Sequence, residues 1–174
     1  MKHTKIVVAI LILVILISLS CSEKEINACW DGSNVDSYVG CLEATIDLHE
    51  LMGLSSSSGK KILLYFNAIG CLNCRRMENE VLSSPEVQST ISQMFVFRTY
   101  YVDSREMLTE KSYEEPLVRE GDFKSVGEVN SKIQGILLKS GSQPFFAILD
   151  ERLRTVDELS LELNVDEFLS FLGK

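Results

Sequence analysis

Two cysteines three positions apart are the residues of this sequence best suited to chemistry. Cys71 and Cys74 follow a predicted turn, and the pattern predicts that they open a helix. Unpaired backbone N–H groups and the helix dipole stabilise a thiolate at that position, and a thiolate is the nucleophile of thiol–disulfide exchange. We therefore predict that Cys71 attacks a disulfide and that Cys74, one turn further on, resolves the mixed disulfide.

Three other uses of this pair stay open as alternatives. Zinc usually takes four protein ligands, of which one C-x-x-C supplies only two. A purely structural disulfide gains little from closing so short a loop, and binding of Cu(I) by the two soft thiolates is a third alternative. We expect no metal site, and no cofactor other than a redox-active disulfide between Cys71 and Cys74.

A carboxylate near the pair is the candidate for proton transfer. Glu78 lies four residues after Cys74, so the two side chains share one face of a helix. A partly buried carboxylate would have a raised pKa and could take the proton of the Cys74 thiol. The alternative is that Glu78 forms a surface ion pair with Arg75.

The elements that position these residues alternate between strand and helix. An apolar run at 62–66 predicts a strand buried on both faces, and 95–102, 145–149 and the residues around Thr155 predict three more. This order predicts an α/β fold with a central mixed β-sheet flanked by helices, parallel first and antiparallel at the edge.

Five helices are predicted from apolar periodicity and capping signals. Gly53 is expected to end the first of them, followed by a flexible link at 55–59 and, much later, an irregular loop at 104–124. The expected helices span about 38–52, 71–82, 85–93, 125–138 and 164–172.

Several stretches around the cysteines match one known family. They are Tyr-Phe-Asn at 65–67, Gly-Cys-Leu-Asn-Cys-Arg-Arg-Met-Glu at 70–78, Ser-Pro-Glu-Val at 84–87, Tyr-Val-Asp at 101–103 and Gln-Pro-Phe-Phe at 143–146. These residues resemble the thioredoxin superfamily, and within it the C-terminal periplasmic domain of the DsbD-type thiol:disulfide interchange proteins and their lipoprotein relatives. The likeness runs from about residue 62 to the C-terminus.

The resemblance implies a thioredoxin fold that passes reducing equivalents from a membrane thiol carrier to disulfides of exported client proteins. It also implies that Pro144 is a cis-proline beside the cysteine pair and that Gln143 and Pro144 contact the client, which would pair there as an added strand. Two positions depart from the pattern. Tyr65 stands where many thioredoxins carry a buried aspartate, and Gly70 stands where they often carry tryptophan.

The N-terminal residues 1–20 are predicted to be a signal peptide. Their apolar run spans about 21 Å as a helix, shorter than the ~30 Å hydrocarbon core of a membrane. The segment resembles a bacterial lipoprotein signal, which implies a lipid on Cys21 and a place in the bacterial cell envelope, facing the periplasm or the outside. Simple secretion and an uncleaved anchor are the alternatives. Residues 21–36 would form a tether or extension, and 37–174 the thioredoxin-like domain.

Two cysteines remain, together with a strongly acidic composition. Cys29 and Cys41 could form a structural disulfide, stay as free thiols or act as a second exchange pair. The formal net charge is −8, and loss of two signal lysines would make it −10, which argues against nucleic acid as a partner. We expect a monomeric, membrane-tethered disulfide reductase, with a non-catalytic client-binding lipoprotein as the alternative.

Overall fold

A computed structural model describes residues 48–110, 118 and 121–173 of the chain. No helix among these residues is long and apolar enough to cross a membrane. Several predictions lie outside the described residues and stay predictions. They concern the signal peptide at 1–20, the extension at 21–36, and the three cysteines Cys21, Cys29 and Cys41.

Four strands form one mixed sheet with the order β2-β1-β3-β4. The strands are β1 (Lys61–Asn67), β2 (Phe95–Tyr101), β3 (Phe145–Leu149) and β4 (Thr155–Leu159). β1 runs parallel to β2 and antiparallel to β3, and β3 runs antiparallel to β4. The predicted α/β fold with a mixed central sheet is therefore confirmed, and the apolar β1 lies at its centre.

Five α-helices accompany this sheet in the described part of the chain. A π-helical segment, Glu78–Leu82, continues the second of them. Side-chain caps begin three helices, because Cys71, Ser125 and Asn164 each accept a backbone N–H of the first turn. The helices are α1 (Leu48–Ser58), α2 (Leu72–Met77), α3 (Pro85–Met94), α4 (Val126–Leu138) and α5 (Val165–Leu172).

The two faces of the sheet are covered by different helices. Successive side chains of a strand point to opposite faces. Ile62, Leu64 and Phe66 therefore pack in the cluster that includes α1 and α4. Leu63 and Tyr65 pack in the cluster that includes α2, the π-helical segment, α3 and α5. The resulting three layers place the start of α2 on the second face, beyond the end of β1.

One boundary prediction is wrong. Helix α1 does not end at Gly53 but continues through the serines that were expected to form a flexible link. Ser58 donates its hydroxyl to the carbonyl of Leu54 at 2.6 Å, so the serines bond back along the helix. Gly59, with φ of +69°, ends the helix instead, because glycine adopts the left-handed conformation without steric cost.

Candidate active site

The cysteine pair lies at the start of α2, directly after the short loop that follows β1. Cys71 is the N-cap of α2, with extended backbone, and its Sγ accepts the N–H of Cys74 at 3.1 Å. The two residues are joined by a disulfide with a Cα–Cα distance of 5.2 Å. Cys71 is half-buried, whereas Cys74 is only 1% exposed. The geometry thus gives one sulfur that a partner can reach and one that it cannot, as the proposed exchange requires.

The loop that precedes Cys71 is held from two sides. The carboxylate of Asp103 accepts the N–H of Ile69 at 2.8 Å and the N–H of Gly70 at 3.3 Å. From the other side, Arg75 donates its Nη2 to the carbonyl of Ile69 at 3.2 Å. No role for Asp103 was predicted from local sequence, because its contact with this loop exists only once β1 and β2 are paired.

The segment that carries Asp103 is itself fixed in place. Val102 donates its N–H to the carbonyl of Asn67 at 2.9 Å, which ties the end of β2 to the end of β1. Gly127, in the first turn of α4, approaches so closely that a Cβ there would lie 2.5 Å from the carbonyl oxygen of Ser104. A side chain at Gly127 would therefore push this segment away from the active-site loop.

Glu78 is a buried carboxylate one helical turn after Cys74. It is 9% exposed, and its Oε1 accepts the side-chain amide of Asn67 at 2.6 Å. Burial raises the pKa of Glu78, while hydrogen bonds from Asn67 and Tyr65 and the charge of Arg75 partly offset that rise. Glu78 thus lies inside the domain, where the charge of Arg75 still acts on it, and its part in proton transfer stays a prediction.

Tyr65 connects the pair to this carboxylate. Its ring stacks on that of Phe146, with centroids 4.4 Å apart and planes 4° apart. The hydroxyl lies 3.5 Å from the carbonyl oxygen of Cys74 and 3.5 Å from Oε1 of Glu78, a long contact in each case. The tyrosine thus occupies the position of the missing aspartate and points its polar atom at the carboxylate supplied by the helix.

The Gln143–Pro144 bond is cis, as the resemblance implies. Phe66 pairs with Phe145 across β1 and β3, so Pro144 lies at the same end of the sheet as the loop leading to Cys71. Gln143 donates its Nε2 to Oε1 of Gln134 at 2.9 Å, within the domain. Contact of Gln143 and Pro144 with a client stays a prediction.

The surface around Cys71 is apolar in part. Ile69, two positions before Cys71 in the chain, is 50% exposed, and Leu72, the next residue after it, is 76% exposed. Among the residues that the structure describes, no group of three or more metal-binding side chains comes together. The site presents two sulfurs, a buried carboxylate and two exposed apolar side chains.

The fold and the site define a thioredoxin-like protein with a redox-active C-x-x-C pair. A family model described as thioredoxin-like matches residues 43–150, more than half of the chain, so the chain belongs to the thioredoxin-like family. This fold and the disulfide-bonded pair together support a thiol–disulfide oxidoreductase. No curated protein sequence matches the chain.

Solved structures of several proteins are similar to this chain. The DsbH oxidoreductase is similar at 16% sequence identity and a TM-score of 0.54, over 72% of this chain and 81% of that one. A thioredoxin from Thermus thermophilus is similar at 22% identity and a TM-score of 0.49, over 72% and 80%. The oxidised C-terminal domain of Neisseria meningitidis DsbD is similar at 16% identity and a TM-score of 0.42, over 72% and 89%.

Proposed function

We propose that this chain is an exported, membrane-tethered thiol–disulfide oxidoreductase that reduces disulfides in exported client proteins. The observation that carries the proposal is the asymmetry of the pair. Cys71 caps a helix and is within reach of a partner, and it is bonded to Cys74, which is sealed inside the domain.

The first step is attack on the client. In the reduced protein the Cys71 thiolate attacks one sulfur of a client disulfide, the client S–S bond breaks, and its other sulfur leaves as a thiolate that takes a proton from solvent. A mixed disulfide between Cys71 and the client forms. The N–H of Cys74, which donates to the Sγ of Cys71, and the dipole at the start of α2 favour the negative charge on the attacking sulfur.

The second step releases the client. The Cys74 thiol gives its proton to the carboxylate of Glu78, and the resulting thiolate attacks the sulfur of Cys71. The second client sulfur leaves and is protonated, so the client gains two electrons and the Cys71–Cys74 disulfide forms. A raised pKa suits Glu78 to this role, because a base works best when its pKa lies near the working pH.

Client docking follows from the surface beside the attacking sulfur. The exposed side chains of Ile69 and Leu72 offer apolar contacts to a segment that carries a disulfide. Pro144 has no N–H of its own and lies at the same end of the sheet, which favours a client strand laid alongside Gln143 and Pro144. The exchange itself uses no cofactor beyond the cysteine pair.

The cellular setting rests on the N-terminal sequence. A signal peptide followed by Cys21 supports a lipid anchor in the bacterial cell envelope, and a membrane thiol carrier would re-reduce the pair after each turnover. The acidic chain would act as a monomer on protein disulfides, without nucleic acid.

Reduction of insulin disulfides by the mature protein, with dithiothreitol as electron source, tests the activity. The parent should accelerate reduction, whereas Cys71→Ser should be inactive. Reduced Cys74→Ser, freed of dithiothreitol and mixed with insulin, should accumulate mixed disulfides with the substrate. A Cys71→Ser variant as active as the parent would overturn the proposal. Binding of unfolded client by an inactive parent would instead support the non-catalytic alternative.

A further inference from the structure

The last residue of β1, Asn67, has a buried side-chain amide. Hydrogen bonds at both its nitrogen and its oxygen fix the orientation of this amide. Asn67 is 2% exposed. Its Nδ2 donates to Oε1 of Glu78 at 2.6 Å, and its Oδ1 accepts the N–H of Ala68 at 2.6 Å. Because Ala68 can only donate through that N–H, the oxygen must face Ala68 and the nitrogen must face the carboxylate.

The backbone of Asn67 is fixed as well. Its carbonyl accepts the N–H of Val102, next to Asp103, whose carboxylate holds the loop before Cys71. The side chain that contacts Glu78 is thus anchored at the point where β1, β2 and the active-site loop meet. An amide so constrained presents its N–H at a fixed place and cannot turn to offer its oxygen instead.

The contacts of Glu78 differ in length. The amide nitrogen of Asn67 lies 2.6 Å from the carboxylate oxygen, whereas the Tyr65 hydroxyl lies 3.5 Å from the same atom. A short bond from an N–H donor favours the charged carboxylate, since a protonated carboxyl is a poorer acceptor. Among the contacts that lower the pKa of Glu78 against the effect of burial, the one with Asn67 is the largest.

We propose that Asn67 is the positioning residue of the exchange reaction, which holds Glu78 in place one turn from Cys74 and keeps it able to accept a proton. The inference rests on the proposed role of Glu78 and deepens it. In this chain the carboxylate comes from the helix and its fixed donor from the strand, while Tyr65 fills the strand position where many thioredoxins carry an aspartate.

The test begins with the oxidised protein, in which neither active-site thiol can titrate. Carbon-13 NMR follows the side-chain carboxyl of Glu78 through a pH series, with Glu78→Gln used to assign the signal. Asn67→Ala should displace the protonation equilibrium of Glu78 about tenfold toward the neutral form, because a hydrogen bond to a charged group is lost. Asn130→Ala is the matched control, since it removes another buried amide, which donates to the carbonyl of Tyr101 rather than to a carboxylate.

A second variant guards against failure of Asn67→Ala to fold. Asn67→Asp keeps the size and the acceptor for Ala68 but puts a second carboxylate against Glu78. One of the two carboxyls should then hold its proton to higher pH than Glu78 does in the parent, because two adjacent like charges disfavour each other. The proposal is overturned if the titration of Glu78 is unchanged in Asn67→Ala. Where only Asn67→Asp folds, it is overturned if neither carboxyl holds its proton to higher pH than Glu78 does in the parent.

The same variants are then compared in the insulin assay across pH 5–9. In Asn67→Ala the rise of the rate with pH should shift to higher pH, while Asn130→Ala should follow the parent. A shifted NMR titration with an unshifted rate profile would overturn the role of Asn67 in exchange. Either result leaves the proposed function intact, since that function is tested separately by the activities of the parent and of Cys71→Ser.

Discussion

Two sets of buried polar side chains lie at the same end of the sheet, on opposite faces. Asn130 and Gln134 of α4 are neutral amides that donate to main-chain carbonyls at 2.9 Å and 2.8 Å. On the other face, Glu78 is an acid whose short contact is with the side chain of Asn67. Both sets are almost sealed from solvent, and only the second contains a group that can exchange a proton.

This difference distinguishes side chains that stabilise the fold from side chains that can take part in the reaction. A neutral amide bonded to a main-chain carbonyl satisfies a buried acceptor and fixes a loop, so its loss should cost stability alone. A buried carboxylate carries a desolvation cost, and such groups are common at active sites. Burial alone therefore does not identify the functional side chain, whereas its ionisation and its partner do.

The largest expected effect is on the rate of insulin reduction and comes from replacing Glu78. Glu78→Gln keeps the shape and the contact with Asn67 but removes the proton acceptor, so insulin reduction should slow by about 10²-fold, within the usual range for general acid–base catalysis. Glu80→Gln is the matched control, because Glu80 is an exposed carboxylate paired with Arg76. If both variants reduced insulin at the parent rate from pH 5 to 9, Glu78 would have no part in proton transfer.

A smaller effect, on stability, is expected from replacing a neutral amide on the opposite face of the sheet. Asn130→Ala removes a buried hydrogen bond to the carbonyl of Tyr101 and should lower the free energy of unfolding by about 1–3 kcal/mol. Urea denaturation measures this loss, and the rate of insulin reduction by the folded variant should match the parent. A displaced pH–rate profile in Asn130→Ala would contradict the claim that Asn130 contributes to stability alone.

Stability itself should depend on pH through Glu78, and this effect is the smallest. Because burial raises its pKa above the ordinary value of 4.5, the folded protein binds more protons than the unfolded chain between the two values. Stability therefore falls as the pH rises through that interval and levels off above it. Urea unfolding of parent and Glu78→Gln should give a difference that increasingly favours the variant as pH rises from 4.5, and then stays constant.

The prediction about stability concerns the slope of that difference and not its offset. The change of side chain also alters the strength of the hydrogen bonds at position 78, which shifts the whole curve by a constant. Asn130→Ala, which changes no titratable group, should differ from the parent by the same amount at each pH. A difference between Glu78→Gln and the parent that stayed flat from pH 4 to 8 would contradict a raised pKa at Glu78.

Local patterns were enough to predict much of the fold. The apolar β1, the helix that begins at Cys71 and Cys74 and the helix that begins at about 125 were all predicted from neighbouring residues and are present. The end of helix α1 was predicted wrongly. Its serines favour turns in general, but here their hydroxyls can bond to carbonyls one turn earlier in the helix, which local patterns do not reveal. Local signals therefore located the elements better than their ends.

The residues that support the site could not be predicted from local sequence patterns. Asn67 and Asp103 have ordinary sequence contexts, and each gains its role from a residue more than ten positions away. The π-helical turn at Glu78–Leu82, where Ser83 donates to the carbonyl of Glu78, also has no signal in the sequence. An asparagine directly after a buried strand that leads into a C-x-x-C was the one available hint.

Brief alkylation of the reduced protein tests the central claim most directly, namely that position 71 carries the reachable, reactive sulfur. The mature protein is equilibrated in glutathione buffers, pulsed with iodoacetamide at pH 7, and the modified cysteines are identified by mass spectrometry. We expect Cys71 to be alkylated well before Cys74, and both to become protected together in one two-electron transition as the buffer is made more oxidising. A Cys71 that reacts only after the protein is unfolded in urea would contradict the account.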